Sequence, residues 1–215
     1  MNRTFPTWTG AAILLPLLLT ACGNSNDDAS KVKVSVTELA AGAYIVSAGD
    51  AANPDAGKYY AAADGSRLLV LNNNAQQASV IYRRDVNGGW QATPAATANT
   101  SLELLNSIAT PSKMINVTDL TRSYTVRLAA GTVAAFSVSA GGDIVAGGTS
   151  CKLSGKLAAT ALPNSLKLSL ATAGCGDLPA QSDGYLVVDS DYAPAAFRLL
   201  AYGGTAPVDL WAYAE

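Results

Sequence analysis

Histidine is absent from the chain. That gap removes Ser-His-Asp and Cys-His nucleophile systems, His-ligated zinc, haem with a histidine axial ligand, and any imidazole proton shuttle. Charge is scarce as well: 14% of the 215 residues are Asp, Glu, Lys or Arg, against the ~25% typical of soluble domains. With 14 basic against 16 acidic side chains the net charge is −2, so there is no basic field to gather phosphates, and nucleic acid is not an expected partner. Cys-x-x-Cys pairs, EF-hand spacing, and glycine loops running into Lys-Ser/Thr and a helix are all missing, which leaves no motif for dithiol redox chemistry, calcium or nucleotide phosphate. No stretch reaches 18 uninterrupted apolar residues, the length a membrane-spanning helix requires. Glycine (19) and proline (9) lie near average use, so the composition is neither collagen-like nor disordered.

What is present begins at the N-terminus. Arg3 precedes the uncharged run from Gly10 to Leu19, which carries Pro16 and is followed by Thr20, Ala21 and Cys22. An apolar run of about ten residues is too short to span a ~30 Å hydrocarbon core and has the length of a signal-peptide core. Leu19-Thr20-Ala21-Cys22 resembles the lipobox of bacterial lipoproteins. The resemblance implies cleavage between Ala21 and Cys22, diacylglycerol on the Cys22 sulfur, and a fatty acyl chain such as palmitate on the new α-amine. Gly23 in place of Asp after the cysteine implies the outer membrane, with either face open. One acyl chain anchors only reversibly, and several together hold. The mature chain would have 194 residues, the 215 less the 21 of the leader. Residues 22–30, with Asp27-Asp28 among them, read as a solvated, flexible tether.

Beyond the tether the period is two. Lys31 to Val36 alternates, Tyr59–Ala63 and Arg67–Leu71 flank Asp64-Gly65, and Ser79–Arg84 and Trp90–Ala92 flank Asn87-Gly88-Gly89; these read as strands and hairpins. Residues 93–112 break the rhythm. Thr100 and Glu103 fit a capping box and Leu102, Leu105 and Ile108 an apolar stripe, so the pattern predicts one helix over 101–109. Short strands resume from residue 122, with a turn at Gly141-Gly142. The expected fold is all-β: an antiparallel sandwich or barrel-like arrangement with one short helix between two β-rich lobes. The expected divisions are a leader over 1–21, the tether over 22–30, an N-terminal β-lobe over 31–97, a helical connection over 98–112, and a C-terminal β-lobe over 113–215. A faint repeat places Tyr60 to Leu69 beside Tyr185 to Leu200 as candidates for duplication.

With Cys22 taken by lipid, Cys151 and Cys175 remain, and two leftover cysteines in an exported chain are expected to pair. They bracket a hairpin turning at Leu162-Pro163-Asn164-Ser165. A register symmetric about Pro163 opposes the cysteines but puts Lys152 and Lys156 on the face of Leu166, Leu168 and Leu170. The apolar pattern prefers a shift by one, so a bulge near Gly174 is needed to serve both demands. The segment from Cys151 to Leu157, continued through Cys175-Gly176, Tyr185 and Arg198, also resembles a pattern that recurs in bacterial β-rich lipoproteins; it implies no particular activity.

Paired carboxylates are the catalytic option the missing histidine leaves open. Asp189 and Asp191 stand two apart, a spacing that admits a hydrolase or cation reading, but Asp189-Ser190-Asp191-Tyr192-Ala193-Pro194 reads better as a turn. Trp90, Trp211, Tyr82, Tyr202 and Tyr213 are candidates for binding or for core packing, and Arg83-Arg84 reads as a solvated strand end. The expectation is therefore a non-enzymatic envelope lipoprotein without catalytic residues, metal or cofactor. Its partners would be the membrane, through the anchor, and a protein or other envelope component. The alternative is a lipocalin-like carrier of a small apolar ligand inside a closed barrel.

Overall fold

The two halves of the chain treat strand edges differently: one half ends its sheet openly and the other closes it. The computed structural model describes residues 32–128 and 131–215. The first half lays down β1 (Val34–Val36), β2 (Gly42–Asp50), β3 (Asn53–Ala61), β4 (Arg67–Asn72), β5 (Ala78–Arg84), β6 (Gln91–Thr93), β7 (Thr100–Leu102) and β8 (Leu104–Thr110). Six of these form an antiparallel sheet in the order β6-β5-β4-β3-β2-β8, while β1 and β7 pair in parallel as a separate two-stranded piece. The second half supplies β9 (Ser123–Arg127), β10 (Val133–Val138), β11 (Asp143–Ala146), β12 (Lys152–Ala158), β13 (Ser165–Ala173), β14 (Gln181–Val187), β15 (Phe197–Ala201) and β16 (Val208–Ala214). These eight close into an antiparallel barrel, β16 returning to pair with β9. The fold is all-β, as the two-residue period requires.

An eight-stranded barrel is just wide enough for side chains to fill, and this one is filled. Tyr124, Phe136 and Phe197 meet at its centre, with ring centroids 4.6 Å apart for Tyr124–Phe197 and 5.7 Å for Tyr124–Phe136. Leu153, Leu157, Leu166, Leu168, Leu170, Leu186 and Leu199 complete the cluster. Lys152, Lys156, Lys167 and Asp183 alternate with the buried residues and are exposed, the inverse of the apolar outer band of a membrane-spanning barrel.

The six-stranded sheet is apolar on both faces. One face lies on the outside of the barrel, where Tyr60, Leu68, Val70 and Ile81 pack with Leu162, Tyr185, Val187 and Leu200. The other carries Val46, Tyr59, Leu69 and Leu71 under Val36, Leu39, Trp90 and Leu102. This two-sided burial explains why Leu68-Leu69-Val70-Leu71 is continuously apolar where a half-buried strand would alternate. Glu38 fastens the cover: its carboxylate accepts from Arg84 Nη1 at 2.6 Å, Arg84 Nη2 at 3.0 Å, Arg67 Nε at 3.2 Å and Trp90 Nε1 at 3.2 Å. Residues 32–215 form one compact unit, in which the expected N- and C-terminal lobes share a core cluster. The leader and tether lie outside the described residues, as do Ala21, Cys22 and Asp27-Asp28.

The expected helix over 101–109 is replaced by strand. Thr100 N–H donates to Lys33 O and Thr37 N–H to Leu102 O, and β8 pairs with β2 from Ala43↔Thr110 to Ala48↔Leu104. A helix of nine residues is marginal by itself, whereas a preformed hairpin edge offers this segment a complete ladder. Nor do the stripe residues share a face: Leu102 packs inward while Leu105 and Ile108 are exposed. Among the described residues the helical ones are two short 3₁₀ turns, Val117–Leu120 and Ser190–Tyr192.

The hairpin turns fall where glycine marks them. Asp64-Gly65 joins β3 to β4 with Gly65 at φ +95°, and Asn87 at φ +58° begins the turn from β5 to β6. Cys151 and Cys175 form a disulfide. The β12–β13 ladder takes the shifted register, Leu157↔Leu168 and Leu153↔Thr172, and ends at Lys152↔Ala173. Gly174 follows at φ +66° and contributes the extra residue that turns Cys175 back toward Cys151. The candidate repeat falls on the β3–β4 and β14–β15 hairpins, which pack against each other in the shared cluster.

Candidate functional site

Polar chemistry in the described residues concentrates where the sheet meets the barrel. Lys58 sits on β3 between apolar neighbours, its side chain 9% exposed. Its ammonium donates to Asp191 Oδ2 at 2.6 Å and lies 3.0 Å from Asp189 Oδ2. Burial acts to lower the Lys58 pKa, but the hydrogen bond to Asp191 and the charge of both carboxylates outweigh it, and the net shift is upward. Asp189 also caps the 3₁₀ turn, its Oδ1 accepting from Asp191 N–H at 3.0 Å. The two carboxylates are thus drawn to one cation and one turn, which is the turn role the sequence pattern favours.

A second ion pair lies deeper. Arg198 on β15 and Asp209 on β16 have side chains 1% and 5% exposed. Arg198 Nε and Nη2 donate to Asp209 Oδ1 and Oδ2 at 3.0 and 2.6 Å, the two-point geometry in which guanidinium matches carboxylate. Nη2 also donates to Asn72 Oδ1 at 3.2 Å, and Asp209 Oδ2 accepts from Ala78 N–H at 2.8 Å. A pair built on neighbouring barrel strands therefore holds both ends of the β4–β5 turn. The guanidinium stacks over Trp211 at 4.6 Å and Tyr192 at 5.3 Å, and Tyr192 Oη lies 3.2 Å from Tyr60 Oη. Burial pushes the Tyr60 hydroxyl well above its ordinary pKa, with Tyr192 adding to the shift.

Asn164 closes the junction. At φ +55° in the β12–β13 turn, it bonds the linker after β8. Its Oδ1 accepts from Lys113 N–H at 2.8 Å, its Nδ2 donates to Pro111 O at 3.0 Å, and its N–H donates to Lys113 O at 2.7 Å. Its own carbonyl accepts from Val188 N–H at 2.8 Å. Between this stapled linker and the 3₁₀ turn opens a cleft of about 510 Å³, walled by Ile45, Thr110, Ser112, Lys113, Val188 and Asp191. Thr110 Oγ1 is buried there with no hydrogen-bond partner among the described residues. Apolar walls with a few converging polar groups are the usual make-up of a recognition site.

The remaining candidate aromatics are mostly structural. Trp90 packs edge-on against Tyr59, Tyr82 is buried, Trp211 lies between Arg198 and Tyr192, and Tyr202 lies under the Arg83 guanidinium at 4.2 Å; Tyr213 is exposed. Arg83-Arg84 is not a solvated end: both side chains are largely covered, Arg84 by Glu38 and Trp90. Sequence reading missed Lys58 and Asp209, and it named Arg198 and Asn164 without their roles at this junction. The available signal was a charge inside an otherwise apolar run, Gly57-Lys58-Tyr59-Tyr60 and Phe197-Arg198-Leu199-Leu200, since a charge buried among apolar neighbours must find a partner. The carrier alternative asks for a chamber inside the barrel, and that volume is occupied by the aromatic and leucine side chains. Compared with known protein families, curated proteins and solved structures, the chain has no match.

Proposed function

We propose that this chain is an envelope lipoprotein, tethered through acylated Cys22, whose β body binds a protein or other envelope component without catalysing a reaction on it. The observation that carries the reading is the fate of Asp189 and Asp191: both are taken up by Lys58 at the rim of a preformed cleft, so the site is built to hold its shape and to recognise. Recognition would use the apolar walls, Ile45 and Val188, with the outer oxygen of Asp191 as a hydrogen-bonding group. The lipobox-like segment supplies the tether, and among the described residues no helix is long and apolar enough to cross a membrane.

The test is a photo-crosslinking residue at Ser112, on the cleft wall, in intact cells, with Val145 on the barrel exterior as control. Adducts specific to position 112 with a component other than a second copy of this chain are expected, and their identification names the partner. Recovery of the uncrosslinked chain at both positions would overturn the binding role. Labelling with a clickable fatty acid tests the tether separately: incorporation is expected in the wild type and lost in Cys22→Ala, and unchanged incorporation would refute acylation at Cys22.

A further inference from the structure

Ile81, Val70, Lys58, Ile45 and Ile108 form one row across the sheet, each paired with the next on adjacent strands. All point to the side on which the barrel lies. The first three are buried, but Ile45 is 37% and Ile108 56% exposed. The barrel therefore supports β3 to β5 and leaves β2 and β8 overhanging, with two isoleucines bare on the underside. Among the described residues no strand pairs with the outer edge of β8.

Sheet edges are ordinarily blunted by shortness or by charge. The far edge, β6, has three residues. In contrast β8 has seven, Leu104 to Thr110, with no charged side chain. Its one irregularity is at Leu105, which is passed over where Ser47↔Asn106 gives way to Ala48↔Leu104. What remains is a regular five-residue stretch from Asn106 to Thr110 with Ile108 at its centre. Glu103 and Lys113 stand five positions before and five after Ile108, and both are exposed. Glu103 adjoins the start of β8 and Lys113 follows its end beyond Pro111, so antiparallel pairing of two copies brings opposite charges together at each end and parallel pairing brings like charges together.

We propose that β8 pairs antiparallel with β8 of a second copy about a two-fold axis at Ile108, joining two six-stranded sheets into one of twelve strands. Ile108 meets its counterpart on the axis, Ile45 of each copy lies behind it, and the apolar row runs unbroken from one barrel to the other. Glu103 of each copy approaches Lys113 of the other. The contact is isologous, so it closes at two copies and does not propagate into a fibre. Ile45, Thr110 and Lys113 also wall the cleft, so the contact runs along the cleft's rim; it does not depend on whether Cys22 is acylated.

Sedimentation of the full chain, extracted in detergent, tests this. A dimer is expected, weakened at least about tenfold by Ile108→Asp, which sets like charges against each other on the axis. Glu103→Lys is expected to weaken it about two- to fivefold, and the double variant Glu103→Lys/Lys113→Glu to restore it. Oxidation of Ile108→Cys in intact cells is expected to give a covalent dimer, and Val145→Cys none. A wild-type monomer at ~100 µM, a dimer indifferent to Ile108→Asp, a charge swap that fails to restore association, or equal crosslinking at positions 108 and 145 would each overturn the proposal.

Discussion

Replacing Asp209 with Leu strands one of the least accessible charges in the molecule. Arg198, 1% exposed, loses both oxygens that satisfy Nε and Nη2 and keeps only Asn72 Oδ1 at 3.2 Å and the faces of Trp211 and Tyr192. Removing one partner of a buried ion pair costs about 3–5 kcal/mol. The loss of the acceptor for the half-buried Ala78 N–H places the expected value within the upper half of that range, near 4 kcal/mol, since a fully buried orphaned donor would add about 1–3 kcal/mol. The double variant Arg198→Met/Asp209→Leu removes the stranded charge but still orphans Ala78 N–H, so it is expected to be about 2 kcal/mol more stable than Asp209→Leu alone. Urea unfolding followed by circular dichroism, with the disulfide intact, gives both numbers from midpoint and slope. Because the pair grips the β4–β5 turn, sheet and barrel should unfold in one transition in the wild type. A single variant costing under about 1 kcal/mol, or a double variant no more stable than the single, would refute the view that this pair joins the two halves.

Lys58→Met leaves Asp189 and Asp191 as neighbouring like charges, one buried and one half exposed; a loss of about 2–3 kcal/mol is expected, less than for a fully buried pair, with partial recovery in Lys58→Met/Asp189→Asn by the same urea assay. Lys58, Tyr59 and Tyr60 all have folded-state pKa values raised above the ordinary 10.5 and 10.0, so their contributions are complete below pH 10 and are lost as pH rises above it. Tyr59 alone, pushed up to about 12 mainly by burial, should cost about 1.4 kcal/mol at pH 11, and unfolding midpoints compared at pH 8 and pH 11 read the sum. Opening the disulfide with Cys151→Ala/Cys175→Ala frees a loop with sequence separation 24, for which the chain-entropy relation gives about 3.5 kcal/mol; thermal melts of oxidised wild type and the variant check it.

The parts of this structure legible in the sequence are those in which a short-range pattern and the global packing ask for the same thing. Asp64-Gly65 and Asn87-Gly88 sit in turns because only residues tolerant of positive φ fit there, whatever surrounds them. The Cys151–Cys175 bridge and the irregularity at Gly174 were legible because two demands on one hairpin could be met only with an extra residue. The helix over 101–109 was misread for the converse reason. A capping box and an apolar stripe of Leu102, Leu105 and Ile108 are local signals, and the ladder offered by β2 and β1 is a distant one that a pattern of ten residues does not contain. The junction was illegible for the same reason: Lys58 is 131 and 133 positions from its partners Asp189 and Asp191, and nothing near Lys58 announces them. Closure of the second sheet into a barrel was invisible too, since alternation looks alike in a strand of a sandwich and in one of a barrel.

That closure imposes an order on assembly. Strand β9 leans on β10 along one side and waits for β16 on the other, and β16 is the last of the eight barrel strands in chain order. A polypeptide made or threaded from its N-terminus therefore carries a raw margin on β9 until Val208–Ala214 arrives, while the hairpins of the first half can zip up as they emerge. A nascent chain halted short of Val208 has an unlatched cylinder with two bare rims, so Val208–Ala214 is the clasp on which the barrel depends.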